Sequence, residues 1–177
     1  MPEHPLPKVP FPDSYWVVPG KLLAGEYPFS KFETDGTKKL TCLLQCDIRA
    51  IADLTMPGDS DSYFTELVHL ADELEIKVAY RRFAIPDMSI PDIETMKAIL
   101  DWIDARIDEN SPTYIHCLGG IGRTGTVIGC YLVRHGMTGQ DALERISTLR
   151  QGTPDWWYVS PETWQQKDFI LNWKIGE

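Results

Sequence analysis

His116-Cys117-Leu118-Gly119-Gly120-Ile121-Gly122-Arg123-Thr124-Gly125 is the stretch on which the reading of this chain turns. It follows Thr113-Tyr114-Ile115-His116, a short strand pattern, and precedes an apolar helical pattern from about Thr124 to His135 that Gly136 stops. The chain must turn tightly between the two. Gly119, Gly120 and Gly122 allow backbone angles closed to other residues. Successive amide N–H groups of such a loop can converge into an anion-binding nest, and the helix that follows adds its positive end. Helix N-termini and nearby cations favour the thiolate form of a cysteine placed among them. Arg123 is a fixed cation whose planar fork suits phosphate oxygens. The residues therefore describe a nucleophilic sulfur, Cys117, at the bottom of a cradle for a tetrahedral dianion, with Leu118, Gly119, Gly120, Ile121, Gly122 and Arg123 as its phosphate-binding wall. The bland alternative, a buried structural cysteine beside a simple turn, does not account for Arg123 at that interval.

Working outward, strand and helix patterns alternate. Tyr15 to Ala24 reads as two short strands around Pro19-Gly20. Thr37 to Asp47 is helical, Ala50 to Leu54 is a buried strand, and Ser62 to Leu74 has helical spacing through Phe64, Leu67, Val68, Ala71 and Leu74. Lys77 to Phe83 is a strand. Ser89-Ile90-Pro91-Asp92 predicts a helix start with Ser89 as cap, opening a helix with Ile93, Met96, Ile99, Leu100, Ile103 and Ile107 on one face. Thr138 caps a helix running to Arg150, and Ser160-Pro161-Glu162 predicts a last helix with Ser160 as cap. This alternation indicates a layered α/β domain.

Length and composition agree. The chain has 177 residues, room for one domain and a short arm. Its 43% hydrophobic and 24% charged residues are ordinary for a globular protein. Six prolines fall within the first nineteen residues, so residues 1–14 are expected to form a Pro-rich arm and residues 15–177 the domain. No apolar run approaches the ~18 residues of a membrane span, and the first residues show no secretory pattern. A net charge of −9 argues against nucleic acid and anionic membrane as partners. Cys42, Cys46, Cys117 and Cys130 are too few and too scattered for a disulfide framework, which points to a reducing cytoplasm. Cys42 and Cys46 resemble half a zinc site, but no second pair completes it, so no metal is expected. Under oxidation, Cys42, Cys46 or Cys130 is a candidate to pair with Cys117.

A phosphate-transferring nucleophile needs an acid to protonate the leaving oxygen. Two Asp residues stand in near repetition, Ile85-Pro86-Asp87 and Ile90-Pro91-Asp92. Asp92 sits where a carboxylate serves a helix terminus. Asp87, on the loop before that helix, is the better candidate.

The stretch from His116 to Thr124 resembles the signature of the cysteine-dependent protein tyrosine phosphatases: His-Cys, five residues, then Arg-Ser/Thr. Chain length and the glycines place the resemblance in the compact dual-specificity branch, near the Cdc14-like and kinase-associated phosphatases, over roughly residues 40 to 170. The resemblance implies a single-domain α/β phosphatase-like fold, with a central, mostly parallel sheet of about five strands flanked by helices. It implies a phosphoric monoester hydrolase working through a cysteinyl-phosphate, without cofactor or metal. Phe83-Ala84-Ile85-Pro86-Asp87 matches the family's acid loop, which makes Asp87 the general acid and later the base. Thr124 would help the thiolate leave, His116 would support the loop, and Gln166 would position water. The substrate is expected to be a phosphorylated protein or a small phosphomonoester. The five loop residues carry no charge, which disfavours highly phosphorylated lipids or inositols. Asp155-Trp156-Trp157-Tyr158 is expected to pack the last helix onto the core, with the pocket rim as the other reading. Two competing functions share these residues: a rhodanese- or arsenate-reductase-like enzyme, and a catalytically silent phosphate-binding pseudophosphatase.

Overall fold

A computed structural model describes residues 7–31 and 36–177. The strands are β1 (Ser14–Val18), β2 (Leu22–Gly25), β3 (Ala50–Asp53), β4 (Ala79–Arg82) and β5 (Thr113–His116). The helices are α1 (Lys38–Gln45), α2 (Phe64–Glu73), α3 (Ile93–Asp108), α4 (Gly122–Arg134), α5 (Gly139–Leu149) and α6 (Trp164–Asn172). The strands form one five-stranded sheet in the order β1-β2-β5-β3-β4. Only β1–β2 is antiparallel, and the other three pairings are parallel. The arrangement is the single-domain α/β fold expected from the sequence.

Side-chain alternation explains why the strands read as unbroken apolar runs. Leu22, Ala24, Ala52, Leu54, Ile115 and Cys117 point to one face, where α3, α4, α5 and α6 pack. Leu23, Ile51 and Tyr114 point to the other, which α1 and α2 cover. A strand buried on both sides has no polar alternation to show. The parallel strands β3, β4 and β5 all release their loops at the same edge, where ligands bind in open α/β sheets.

Several helix ends differ from expectation. α3 is capped by Asp92, whose carboxylate accepts from Thr95 N at 2.6 Å, and not by Ser89. Ile90 precedes a proline and is steered away from helical angles, so the helix cannot begin there. α6 begins at Trp164 behind a capping box of Thr163 and Gln166. Ser160 instead donates its hydroxyl to Ile121 O at 2.8 Å. α4 begins two residues early, at Gly122, which brings Arg123 into its first turn. On α2 only Leu67 and Ala71 are buried, while Phe64 and Val68 are exposed. Trp156, Trp157 and Tyr158 do not pack α6 onto the core: all three are more than half exposed. The buried Arg150 holds their loop by donating to Tyr158 O and to Asp155.

Of the Pro-rich arm, residues 1–6 lie outside the described residues. Further along it, Phe11 is buried against Tyr114, and Lys8 O accepts from the Trp16 indole. No described helix is long and apolar enough to cross a membrane.

Candidate active site

Residues 117–121 form the turn from β5 into α4. Gly120 adopts φ +69°, and a Cβ there would lie 2.4 Å from the carbonyl carbon of Gly25. Glycine is required twice over, for the left-handed angle and for the close approach of β2. Tyr27 N donates to Leu118 O at 2.8 Å and Leu54 N to His116 O at 2.9 Å, so neighbouring chain segments fix the loop's carbonyls outward. Among the described residues, nothing accepts from the backbone amides of Gly119, Gly120 and Ile121. The carbonyls of Cys117, Leu118 and Ile121 are tied while those three amides stay open, as an anion nest requires.

Arg123 is 1% exposed. Its Nη1 donates to Asp59 Oδ2 at 2.5 Å and to Ile85 O at 3.0 Å. Its Nε and Nη2 are buried and have no hydrogen-bond partner. Nη2 lies 3.1 Å from Asp87 Oδ1, an ion pair without hydrogen-bond alignment. Burial works against the guanidinium's charge, but Asp59, the Cys117 sulfur and Asp87 outweigh it and hold the group firmly protonated. Cys117, 3% exposed, is thus within electrostatic reach of Arg123. The Thr124 hydroxyl is buried and unpartnered beside them.

His116 lies beneath the loop. Its Nδ1 donates to Cys117 O at 3.0 Å, since a carbonyl can only accept, which leaves Nε2 to accept from the Tyr63 hydroxyl at 2.6 Å. Burial holds His116 below the usual imidazole range, so it is neutral. Asp53, at the end of β3, is fully buried. Burial alone would raise its pKa. The neighbouring imidazole and the bonds donated by Thr55 and Tyr80 bring it below the usual carboxylate range. Arg82, 3.0 Å away, adds a permanent counter-charge.

The structure therefore brings Cys117, Arg123, Thr124, Asp87 and His116 together, on the loops after β5 and β4. Asp92 is turned to the α3 terminus. Gln166 is fully buried, and its amide is committed to backbone: Oε1 accepts from Glu162 N and Thr163 N, and Nε2 donates to Ser89 O, each at 3.1 Å. It sits against Gly122, where a Cβ would come within 3.2–3.3 Å of the amide. That geometry makes Gln166 a strut joining α6, the acid loop and the cradle.

Asp59 is the site residue that sequence reasoning missed. Met56-Pro57-Gly58-Asp59-Ser60-Asp61-Ser62 reads as a polar turn. The signal was its position, directly after a parallel strand that neighbours β5.

None of the other cysteines is placed to pair with Cys117. Cys130 is buried inside α4, about 12 Å beyond Gly122 at 1.5 Å per residue. Cys42 and Cys46 belong to α1, on the opposite face of the sheet from the Cys117 side chain. All four cysteines are free.

The family model described as "Polymorphic toxin system, DSP-PTPase phosphatase" matches residues 28–137, from before α1 to the end of α4. The chain belongs to this family. It is 30% identical over 153 residues to the dual specificity protein phosphatase CDC14AB of Danio rerio, covering 80% of this chain and 22% of that protein. It is 24% identical over 134 residues to an Arabidopsis thaliana protein named phosphatidylinositol 3,4,5-trisphosphate 3-phosphatase and protein-tyrosine-phosphatase PTEN1, covering 73% of this chain and 31% of that one. The chain thus spans less than a third of the length of these relatives. The crystal structure of Tk-PTP in its active form superposes with a TM-score of 0.71 at 24% identity, over 90% of this chain and 95% of the other. Kinase-associated phosphatase carrying a serine at its catalytic cysteine superposes with a TM-score of 0.65 at 22% identity, over 84% and 83% of the two chains. These likenesses establish a compact dual-specificity-like member of the protein tyrosine phosphatase superfamily.

Proposed function

We propose that the chain hydrolyses phosphate monoesters of proteins, as a protein tyrosine or dual-specificity phosphatase, through a cysteinyl-phosphate. The observation that carries this reading is the Nε/Nη2 edge of Arg123, buried and making no hydrogen bond within the protein, beside the Cys117 sulfur. An unsatisfied buried guanidinium edge is costly unless a ligand is to fill it. A phosphate dianion would take that edge with two oxygens and the loop amides with the others. Cys117 would attack phosphorus in line, forming the S–P bond as the P–O bond to the leaving group breaks. Asp87 would deliver the proton to the departing oxygen. Water would then attack the phosphocysteine, with Asp87 receiving its proton and Thr124 stabilising the released thiolate. The transition state is loose, so fixed donors and positioning supply most of the acceleration. The loop amides and Arg123 carry the charge in every step, so the scheme calls for no metal or cofactor.

The uncharged loop favours a phosphorylated protein over a polyphosphorylated lipid or inositol. Both chemistries occur in the names of the relatives described above. A reducing compartment such as the cytoplasm suits the free thiols. We place the phosphatase domain at residues 15–177, behind the arm at 1–14.

The test is turnover of an aryl phosphate by the purified chain and by Cys117→Ser. The parent should release phosphate, and the variant should not turn over yet should retain phosphopeptide. Phosphate release by Cys117→Ser at the parent's rate would refute the scheme. A chain that retains phosphopeptide without turnover would instead be the silent binding module.

A further inference from the structure

The proposed reaction gives no role to the aromatic loop between α5 and α6. Trp156, Trp157, Tyr158 and Val159 are consecutive, and each is more than half exposed. Single exposed apolar residues are ordinary, but a contiguous run of four, three of them aromatic, marks a surface that something covers. The loop is not free to fold its rings inward. The buried Arg150 donates to Tyr158 O at 2.6 Å and to Asp155 Oδ1 at 3.0 Å, and the Thr153 hydroxyl lies 2.9 Å from the same carboxylate. The rings also lean on one another, with centroids 6.5 Å apart for Trp156 and Trp157 and 5.9 Å apart for Trp157 and Tyr158. A surface fixed before its partner arrives loses little entropy on binding.

The loop walls a cavity of about 310 Å³ whose other sides come from α5 and α6. Its charged lining residues are Arg150 and Lys167, and no acidic side chain lines it among the described residues. That inverts the balance of a chain with 26 acidic and 17 basic residues. The acids closest along the loop are committed elsewhere: Asp155 pairs with Arg150, and the Glu162 carboxylate stands against Gly122 at the start of α4. The Arg150 charge is therefore answered. Lys167 is half-buried, and its ammonium has neither ion pair nor hydrogen bond among the described residues. The cavity also adjoins the cradle, because Ser160 lines it and donates its hydroxyl to Ile121 O at 2.8 Å. A chain whose phosphate sits in the cradle can lay its next few residues, at about 3.3 Å each, along this wall.

We propose that this cavity docks the chain flanking the phosphorylated residue of a protein substrate, taking a segment in which an apolar side chain neighbours acidic ones. The apolar side chain packs against the aromatic wall, and a carboxylate meets Lys167. The inference rests on the phosphatase reading and names the substrate class for that site.

The probes are alanine-based phosphotyrosine peptides carrying Leu-Glu-Glu, Leu-Gln-Gln or Leu-Lys-Lys on the N-terminal or the C-terminal side. They are titrated calorimetrically into the Cys117→Ser chain, alone and with Lys167→Glu or Trp157→Ala added. Tungstate, a non-hydrolysable tetrahedral dianion, is titrated into each chain to measure the cradle by itself, and peptide affinities are read relative to it. On one side of the phosphotyrosine, Leu-Glu-Glu should bind about fivefold tighter than Leu-Gln-Gln, the weight of one ion pair, and more than tenfold tighter than Leu-Lys-Lys. Lys167→Glu should level or reverse that order. Trp157→Ala should weaken the Leu-Glu-Glu peptide at least fivefold. Equal affinities for the three flanks on both sides, or a preference for Leu-Lys-Lys, would overturn the inference. So would undiminished affinity for the acidic peptide in either variant. An acidic preference in a protein whose parent chain releases no phosphate from an aryl phosphate would count against the phosphatase reading and leave the docking site standing. Turnover of aryl phosphate without that preference would do the reverse.

Discussion

Replacing Gln166 by alanine separates two roles for one side chain. The amide is fully buried and makes three bonds of 3.1 Å, two from the backbone at the start of α6 and one to the backbone of the acid loop. Each such bond contributes about 1 kcal/mol net. Glu162 is exposed and Thr163 and Ser89 are half-buried, so water can rewet part of what is orphaned, while the emptied volume beside Gly122 adds a cavity cost. The two corrections oppose each other, and the expected loss stays at about 3 kcal/mol. For a chain of this length that lowers Tm by roughly 6–12 °C. Differential scanning calorimetry measures the loss, and rapid-quench kinetics on an aryl phosphate separates formation of the phosphoenzyme from its hydrolysis. A strut should slow both steps, because Ser89 belongs to the segment that carries Asp87. A melting shift below about 2 °C, with only phosphoenzyme hydrolysis slowed, would refute the strut and favour Gln166 as a residue that positions water.

Two further outcomes follow from the geometry beneath the cradle. Gly120→Ala must bear a left-handed angle and a contact of 2.4 Å with backbone that has no room to yield, so it should cost at least about 3 kcal/mol and abolish tungstate binding, read by melting and titration. Acid stability should fall in two windows. Burial depresses the His116 pKa, so its contribution is lost as pH falls below about 6.5, the unfolded value. Asp53 is also depressed in the folded state, so its contribution is complete above about 4 and is lost as pH falls further. Between about pH 6.5 and 4 the gap between the melting curves of the parent and Asp53→Asn should widen as pH falls, because the Asp53 charge also holds the His116 pKa up in the parent, and below about pH 4 it should narrow. A gap that stays constant throughout would refute the assignment.

Much of the fold was legible because its signals are local. The β5 pattern, the glycine turn and the Thr138 cap each sit within a few residues of what they determine, and the structure has them where the pattern put them. That Asp92 serves a helix terminus was legible for a local reason, since the amide it accepts from lies three residues along. The cap at Ser89 was misread because a favourable cap residue was weighed above the restriction that Pro91 imposes on Ile90. The partners of Asp59 and Gln166 were beyond reach for another reason. Their partners are Arg123 and Ser89, 64 and 77 positions away, and only the sheet order and the packing of α6 bring those pairs together. The aromatic loop misled because apolar residues were equated with burial, whereas here a buried arginine holds them outward.

The boundary of inheritance and the boundary of folding do not coincide in this molecule. The family signal covers 28–137, yet β2 lines the cradle strand on one side and presents Gly25 to Gly120 from outside that span. A chain pared down to the shared segment would leave β5 as an open border, with its donors and acceptors bare to any passing strand. The cradle loop is thus moulded partly by residues outside the span that the family model matches, and a substitution in the first hairpin can reshape the pocket without touching any residue from Cys117 to Arg123.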